Sequence, residues 1–423
     1  MKKIPRSSLI FYGGALVFFI VVQLLISFGL LNAFWNTILR LGAVMAIVSL
    51  GLNLIYGFNG QFSLGQWAFY AIGAYCAADI TYRWANLGSA GGLMVVLMIV
   101  LFTGAAILFL RTQLSKIRRL DALSAFSIYL LTTLILGYVA LQIGKALDAP
   151  VAAALKALPP AVALQVVFFF AVILAGMLAA EISFLFGLPI LTLGSDYFGI
   201  ATLGLTIITK VLLDNSDTLL GFAEMKGARG MIGIPKITTW FWVFLFLIIT
   251  IVVTRNLLNS SYGRAILSVR EDEIAAKAMG IDVANYKILT FVIGSFFAGL
   301  AGGLYAHING FLHPDTFNFI KSFDPMIVIV FGGLGSVTGT IAGAFAWALV
   351  LEGFLRLFLP EGFETWRFVV YPLLLLIMML LKPSGIFGGY EIPFIRAVLP
   401  PNQPKRAEDL RSEDAIQSQE AGL

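Results

Sequence analysis

One cysteine and two histidines occur in 423 residues, and only 12% of the residues are charged. Each scarcity excludes something. A single thiol, Cys76, cannot form a disulfide within the chain and is too little for a thiolate metal centre. It lies in an apolar run and reads as a small buried packing residue. His307 and His313 have no acidic cluster beside them, so no metal site is expected; both are expected as solvated residues flanking an outer loop. Soluble domains carry about 25% charged residues. The shortage here, with 59% hydrophobic residues and a mean hydropathy of +0.93, describes a polytopic helical membrane protein. The net charge of +5 sits in a few loops. It forms no basic stripe, so no nucleic-acid partner is expected.

Catalytic machinery is also missing. A phosphate-binding loop needs G-x-x-x-x-G-K-[ST]. Gly60 and Gly65 have the glycine spacing, but Gln66 and Trp67 follow where lysine is required. Gly333-Leu334-Gly335 lacks the third glycine of a dinucleotide fingerprint. No triad or carboxylate pair stands out. No catalytic residue, metal or cofactor is assigned to this chain.

What remains is apolar runs. A span needs roughly 20 apolar residues at 1.5 Å each. Runs at about 9–30, 39–57, 65–82, 92–110, 122–143, 161–186, 190–213, 237–254, 288–306, 323–358 and 368–382 qualify. The run 323–358 is too long for one straight crossing and is broken by Gly332, Gly333, Gly335 and Gly339. It is read as two segments. The expected fold is all-α, with about ten to twelve transmembrane helices, some of them discontinuous.

Basic residues orient the spans. Lys2, Lys3 and Arg6 open the chain; Arg111, Lys116, Arg118 and Arg119 fill one loop. Arg255, Arg264, Arg270, Lys277 and Lys287 fill another, and Lys382, Arg396, Lys405, Arg406 and Arg411 line the tail. Even numbers of crossings separate these clusters. The positive-inside rule then puts the N-terminus and the tail in the cytoplasm. The charged loop 214–236 falls outside in this scheme.

The chain divides into an N-terminal anchor helix (1–38), a first core part (39–110), an apparent insertion with one extra span (111–160), a second core part (161–390) and a polar tail (391–423) expected to be disordered. The first apolar run is longer than a cleavable signal core, so a retained anchor is expected.

Polar residues at membrane depth mark a candidate path. Asn53, Asn59, Gly60, Gln61, Ser63 and Gly65 form a break between two apolar runs. Naked backbone cannot face lipid, so such a break is buried in protein or lines a wet cavity. Transporters place broken helices along the substrate path. Gly332, Gly333 and Gly335 make a second such break. Close packing by small residues competes with this reading and is preferred for Gly73 and Ala74. Asp196, Glu181, Glu352 and Asp79 are expected as interfacial or paired acids, with a structural or gating role for Asp196.

The densest charge between two spans lies in the loop 255–287. Glu271, Asp272 and Glu273 suit the first turn of a helix. Ile274, Ala275, Ala276 and Met279 offer apolar and small contacts, and Gly280 suits a helix end. A short helix in water between two spans reads as a docking platform for another protein.

Several of these stretches resemble a known family. Ala275-Ala276-x-x-x-Gly280 is similar to the EAA loop of permeases in ATP-driven bacterial importers. The wider run 263–281, together with 51–75, Ser195–Gly204, Phe296–Leu304, Val328–Ser336 and Lys382–Gly385, resembles the branched-chain amino acid permeases, the longer of their two types. The similarity covers about 39–80 and 186–387. Ile274 stands where the general pattern has Glu. The resemblance implies a bacterial or archaeal plasma-membrane pathway of two permease chains, two cytoplasmic ATPase subunits that hold ATP and Mg, and an external binding protein. It also implies a coupling helix at 261–287 and alternating access. The competing expectations are a self-sufficient ion-coupled transporter, or an integral-membrane enzyme or scaffold, and, for cargo, urea or short amides.

Overall fold

The computed structural model describes residues 6–114, 122–191, 195–218 and 224–354, with scattered positions from 373 to 392. The side chains of Lys116, Arg118, Arg119, Asp196 and Lys382, most of the run 368–382, and the tail beyond 392 lie outside the described residues. Eight described helices are long and apolar enough to cross a membrane. The protein is a nearly all-α, multi-pass membrane protein.

The long helices alternate in direction. They are α1 (Arg6–Ser27), α2 (Ala33–Asn53, extended by a π turn Leu54–Phe58), α3 (Gln66–Tyr82), α4 (Gly91–Leu114), α5 (Ala122–Ala146) and the short α6 (Asp148–Lys156). Then come α7 (Pro160–Ile190), α8 (Ser195–Asp214) and α9 (Trp240–Asn259). Two short helices follow, α10 (Ser261–Glu271) and α11 (Glu273–Ala278). The chain returns through α12 (Val283–Asn309) and closes with the hairpin α13 (Phe323–Gly332) and α14 (Val337–Trp347). A two-residue ribbon, β1 (Met231–Ile232) with β2 (Phe311–Leu312), ties the loop after α8 to the end of α12. That ribbon places the loop residues 224–236 at the end of the bundle opposite α10 and α11.

Sequence explains which helices are central. An α-helix that is apolar all round belongs inside a bundle. In α3, fifteen of the sixteen positions from Gln66 to Thr81 are buried, all but Ile72. α12 buries Gly294 and Phe297–Leu304. Lipid tails are as apolar as leucine, so helices in a bilayer associate through close packing. Here α3 and α12 run parallel and meet through glycine. A Cβ at Gly302 would overlap the carbonyl oxygen of Tyr70, and one at Gly73 would overlap that of Gly299. By contrast α1 and α5 are mostly exposed, as expected of helices on the rim.

Two expectations change. His307 is not a solvated loop residue. It lies inside α12, fully buried, where Nδ1 donates to the Gly303 carbonyl at 2.7 Å and Nε2 pairs with the Thr81 hydroxyl at 2.7 Å. The sequence hid this because α12 runs one turn beyond its apolar stretch. The helical platform also differs in outline. Glu271 ends α10 rather than opening the next helix, because Asp272 is extended (φ −159°) and breaks the helix in two.

Elsewhere the acids are partnered. Asp79 pairs with Arg83 at 2.9 Å, and Glu181 accepts a 2.6 Å bond from the Thr103 hydroxyl. Cys76 is buried.

Candidate functional site

Two places in the bundle have the character of a site: the platform at one end and a cavity reaching in from the other.

The platform is built by capping. Ser260 caps α10, its hydroxyl accepting from the Gly263 N–H at 3.4 Å. Asp272 Oδ1 accepts from the N–H groups of Ile274 (2.8 Å) and Ala275 (3.0 Å), which satisfies orphan donors at the start of α11. Gly280 ends α11 in the left-handed region (φ 82°), with Gly280 N–H bonded to Lys277 O and Ile281 N–H to Ala276 O. This is the Schellman arrangement, which favours glycine at that position. Glu273 pairs with Lys287 on α12. Only Ala276 of α11 faces inward. Ile274 and Met279 are each 83% exposed. Large apolar side chains held that far into solvent on a capped, pinned helix form a contact surface that none of the described residues covers.

Below the platform, two breaks meet. Arg270 of α10 donates to the Gly57 carbonyl at 2.8 Å. Asn53 Oδ1 accepts from Gly335 N–H at 2.9 Å, and its Nδ2 donates to Ser336 O (3.0 Å) and Thr340 Oγ1 (2.8 Å). The turn after α2 is thereby fastened to the turn of the α13–α14 hairpin, and both to the platform. Gly333 and Gly335 take φ of 123° and 75°, which lets that hairpin reverse in four residues. Gly332 packs against Gly339. Residues 323–354, the described part of the run 323–358, are thus two helices around a glycine turn. α13, at ten residues, reaches only about 15 Å.

The other candidate path residues sit in the same region. Asn59 Nδ2 donates to Gln61 Oε1 (3.0 Å) and Thr290 Oγ1 (2.9 Å). Ser63 Oγ accepts from Gly65 N–H at 3.3 Å, and Gly65 packs on Thr202 of α8. Gly60, at φ 76°, lies against Arg270. So the structure brings Asn53, Gly60 and Gly335 together around Arg270. It seats Asn59, Gln61, Ser63 and Gly65 beside them, between α8 and α12. None of them lines the cavity described next.

Sequence reasoning missed two features. Glu391, 5% exposed, caps α14 with its carboxylate. Val337 N–H donates to it at 2.6 Å, Thr338 N–H at 3.1 Å and the Thr338 hydroxyl at 2.6 Å. An anion at a helix N-terminus satisfies orphan donors and complements the dipole. Its only local signal was an acid just past the last apolar run. The second feature is a cavity of about 250 Å³ between α2, α3, α12, α13 and α14. Trp67, Tyr70, Tyr305 and Trp347 form much of its wall, and Lys321, Asp324 and Glu352 reach it. Its residues come from five helices and from the short turns at Pro314–Phe317, Phe319–Ser322 and Ala348–Phe354, so no local pattern could announce it.

Comparison with known proteins agrees with this architecture. Residues 122–380 match the family described as branched-chain amino acid transport system, permease component. The match begins within the stretch read above as an insertion and takes in α5 and α6. The high-affinity branched-chain amino acid transport system permease protein LivM of Escherichia coli is 30% identical over 247 residues, covering 50% of this chain and 56% of that protein. The probable LivM permease of Methanocaldococcus jannaschii is 28% identical over 258 residues, 56% of this chain and 72% of its own. LivH of Salmonella typhimurium is 29% identical over 180 residues, 43% of this chain and 55% of its own. The chain therefore spans little more than half the length of the Escherichia coli relative. No solved structure matches. With its family match over more than half its length, the chain belongs to the permease components of branched-chain amino acid transport systems.

Proposed function

We propose that this chain is a transmembrane permease subunit of an ATP-driven importer for branched-chain amino acids or related small polar solutes. It works with a second permease chain, two cytoplasmic ATPase subunits that bind ATP and Mg, and an external binding protein that delivers cargo. The platform lies in the cytoplasm of a bacterial or archaeal cell, with both termini on the same side of the plasma membrane. The excess of arginine and lysine in 255–287 supports that orientation. So does Arg111, which reaches Asn285 beside the platform at 3.0 Å.

The observation that carries the reading is α11: a capped helix, exposed on every face but one, whose neighbouring Arg270 is bonded to the break after α2. A partner that changes shape on binding nucleotide can shift the transporter only through contacts that differ between its two states. α11 offers such contacts, and Arg270 carries displacement from it into the spans. The transport cycle is alternating access between the cavity end and the platform end.

Pull-down of native partners tests this. The wild-type chain is expected to recover an ATPase subunit, and Gly280→Arg is expected to lose it, because a side chain at φ 82° strains the end of α11. Retained ATPase binding in that variant counts against the assignment of α11. Uphill solute uptake by the chain alone in vesicles, without any ATPase, favours an ion-coupled transporter instead.

A further inference from the structure

The turn between α13 and α14 is held from two sides. On one side stand Asn53 and Arg270. On the other stands chain from beyond the last apolar run. The turn leaves backbone groups at both helix ends that neither helix pairs internally, and the later chain answers them. At the end of α13, the Phe331 carbonyl accepts from Ile386 N–H at 2.9 Å, and the Gly332 carbonyl from Phe387 N–H at 3.1 Å. Gly385, at φ 77°, packs on the backbone of Gly333. At the start of α14, Ser336 Oγ takes the Gly339 N–H at 2.9 Å. The N–H groups of Val337 and Thr338, both buried, go to the Glu391 carboxylate. Ile392 N–H then donates to Thr338 Oγ1 at 3.1 Å.

Two features separate this from an ordinary cap. A cap normally comes from the residue beside the helix. Glu391 lies 54 residues beyond Val337, so its bonds tie two distant segments together. The charges around the turn are also matched to the helix ends. Arg270 lies against Gly335, just past the C-terminus of α13, and Glu391 sits at the N-terminus of α14. A cation suits the first position and an anion the second, because each complements the partial charge of its helix end. The turn is therefore gripped between a residue next to the platform and a residue of the chain's last stretch.

We propose that Glu391 is a positioning residue for transport. It holds the α13–α14 turn against Arg270, so that displacement of the platform moves both helices instead of pulling the turn away from them. Without Glu391, Arg270 moves a loosened turn, and ATP is hydrolysed with little transport. The carboxylate is suited to this because its three bonds are charge-assisted, the strong class of hydrogen bond, and it is itself 5% exposed. This inference rests on the transporter reading and adds a component of the coupling path that lies outside the platform.

The test uses the full chain with its native partners in proteoliposomes, with uptake of radiolabelled L-leucine and hydrolysis of ATP measured together. Glu391→Gln keeps the size and removes the charge. Thr338→Val keeps the shape and removes the hydroxyl that Glu391 and Ile392 share, and it decides the matter if the first variant fails to fold. Each is expected to lower uptake per ATP by about tenfold, the worth of a charge-assisted bond, with the ATPase still bound. A residue that only held the fold would lower uptake and hydrolysis in the same proportion. The double variant Arg270→Met, Glu391→Gln is expected to match the worse single variant, because both act on one turn. Hydrogen exchange at the Val337 and Thr338 amides is expected to quicken about tenfold in Glu391→Gln. Three results overturn the proposal: uptake per ATP within about twofold of wild type in every folded variant, losses that multiply in the double variant, or unchanged exchange at Val337 and Thr338. Wild type without ATP-driven uptake overturns the transporter reading instead, and the exchange measurement then decides by itself whether Glu391 holds the turn.

Discussion

The guanidinium of Arg270 donates a 2.8 Å hydrogen bond to the carbonyl oxygen of Gly57, joining the half-buried helix α10 to the π turn that ends α2. The same arginine lies against Gly60 and Gly335. One side chain thus touches both helix breaks. Arg270→Met keeps the length and removes the donors. The expected outcome is a transporter that still recruits its ATPase and hydrolyses ATP but loses at least about tenfold of its uptake, the effect of one charge-assisted bond. Uptake and hydrolysis measured side by side in proteoliposomes check it; equal loss of both would show that Arg270 only holds the fold.

Ile274 and Met279 stand almost wholly in solvent. Surface substitutions of this kind change stability by about 0.5 kcal/mol or less. The double variant Ile274→Glu, Met279→Glu is therefore expected to keep its unfolding temperature and to lose the ATPase subunit in pull-down. A variant that unfolds early, or that keeps its partner, would contradict the platform.

Asn53 has both ends of its amide occupied and no exposure. Asn53→Leu strands the Gly335 N–H, a buried group costing about 1–3 kcal/mol when unpaired, and removes one bond each from the Ser336 carbonyl and the Thr340 hydroxyl, which stay bonded to each other. Thermal unfolding in detergent is expected to drop sharply, with uptake falling in proportion to folded protein. An unchanged melting temperature would mean that the two turns are not fastened to each other here.

Glycines in this chain are expected to divide by neighbourhood. Gly302→Val drives a side chain into the Tyr70 carbonyl and is expected to abolish folded protein, since overpacking costs about 1–3 kcal/mol even where neighbours can yield and here the obstacle is backbone. Gly204, on α8, has nothing within 4 Å of an added Cβ. Gly204→Ala is expected to be neutral or to stabilise by up to about 1 kcal/mol through helix propensity. Fluorescence-detected size exclusion of both variants reads the contrast directly.

The spans were largely legible because a bilayer imposes one rule on every segment: about 20 apolar residues with all backbone bonds made internally. That rule located α2, α3, α4, α7, α9 and α12, and it required the glycine turn at Gly333–Gly335. Capping was legible for the same local reason. Gly280 and Asp272 act on their own helix within a few residues, so their roles follow from position. The outline of α11 was less so, because Asp272 can open a helix as N-cap or sit in its first turn, and only its extended backbone decides. His307 was misplaced because its partners, Thr81 and Gly303, include one that lies 226 residues away.

Composition and apolar periodicity by themselves determined that this is a helical, multi-pass membrane chain with a charged helix held between two spans. Hydrophobic transfer and helix capping are local, and a sequence displays local energetics. Tertiary structure alone decided that Arg270, Asn53 and Gly335 converge at one end, and that Lys321, Asp324 and Trp347 enclose a cavity at the other. Arg270, Asn53 and Gly335 come from segments far apart in the chain, and Asp324 and Trp347 from successive helices, so only packing fixes which side chains face one another.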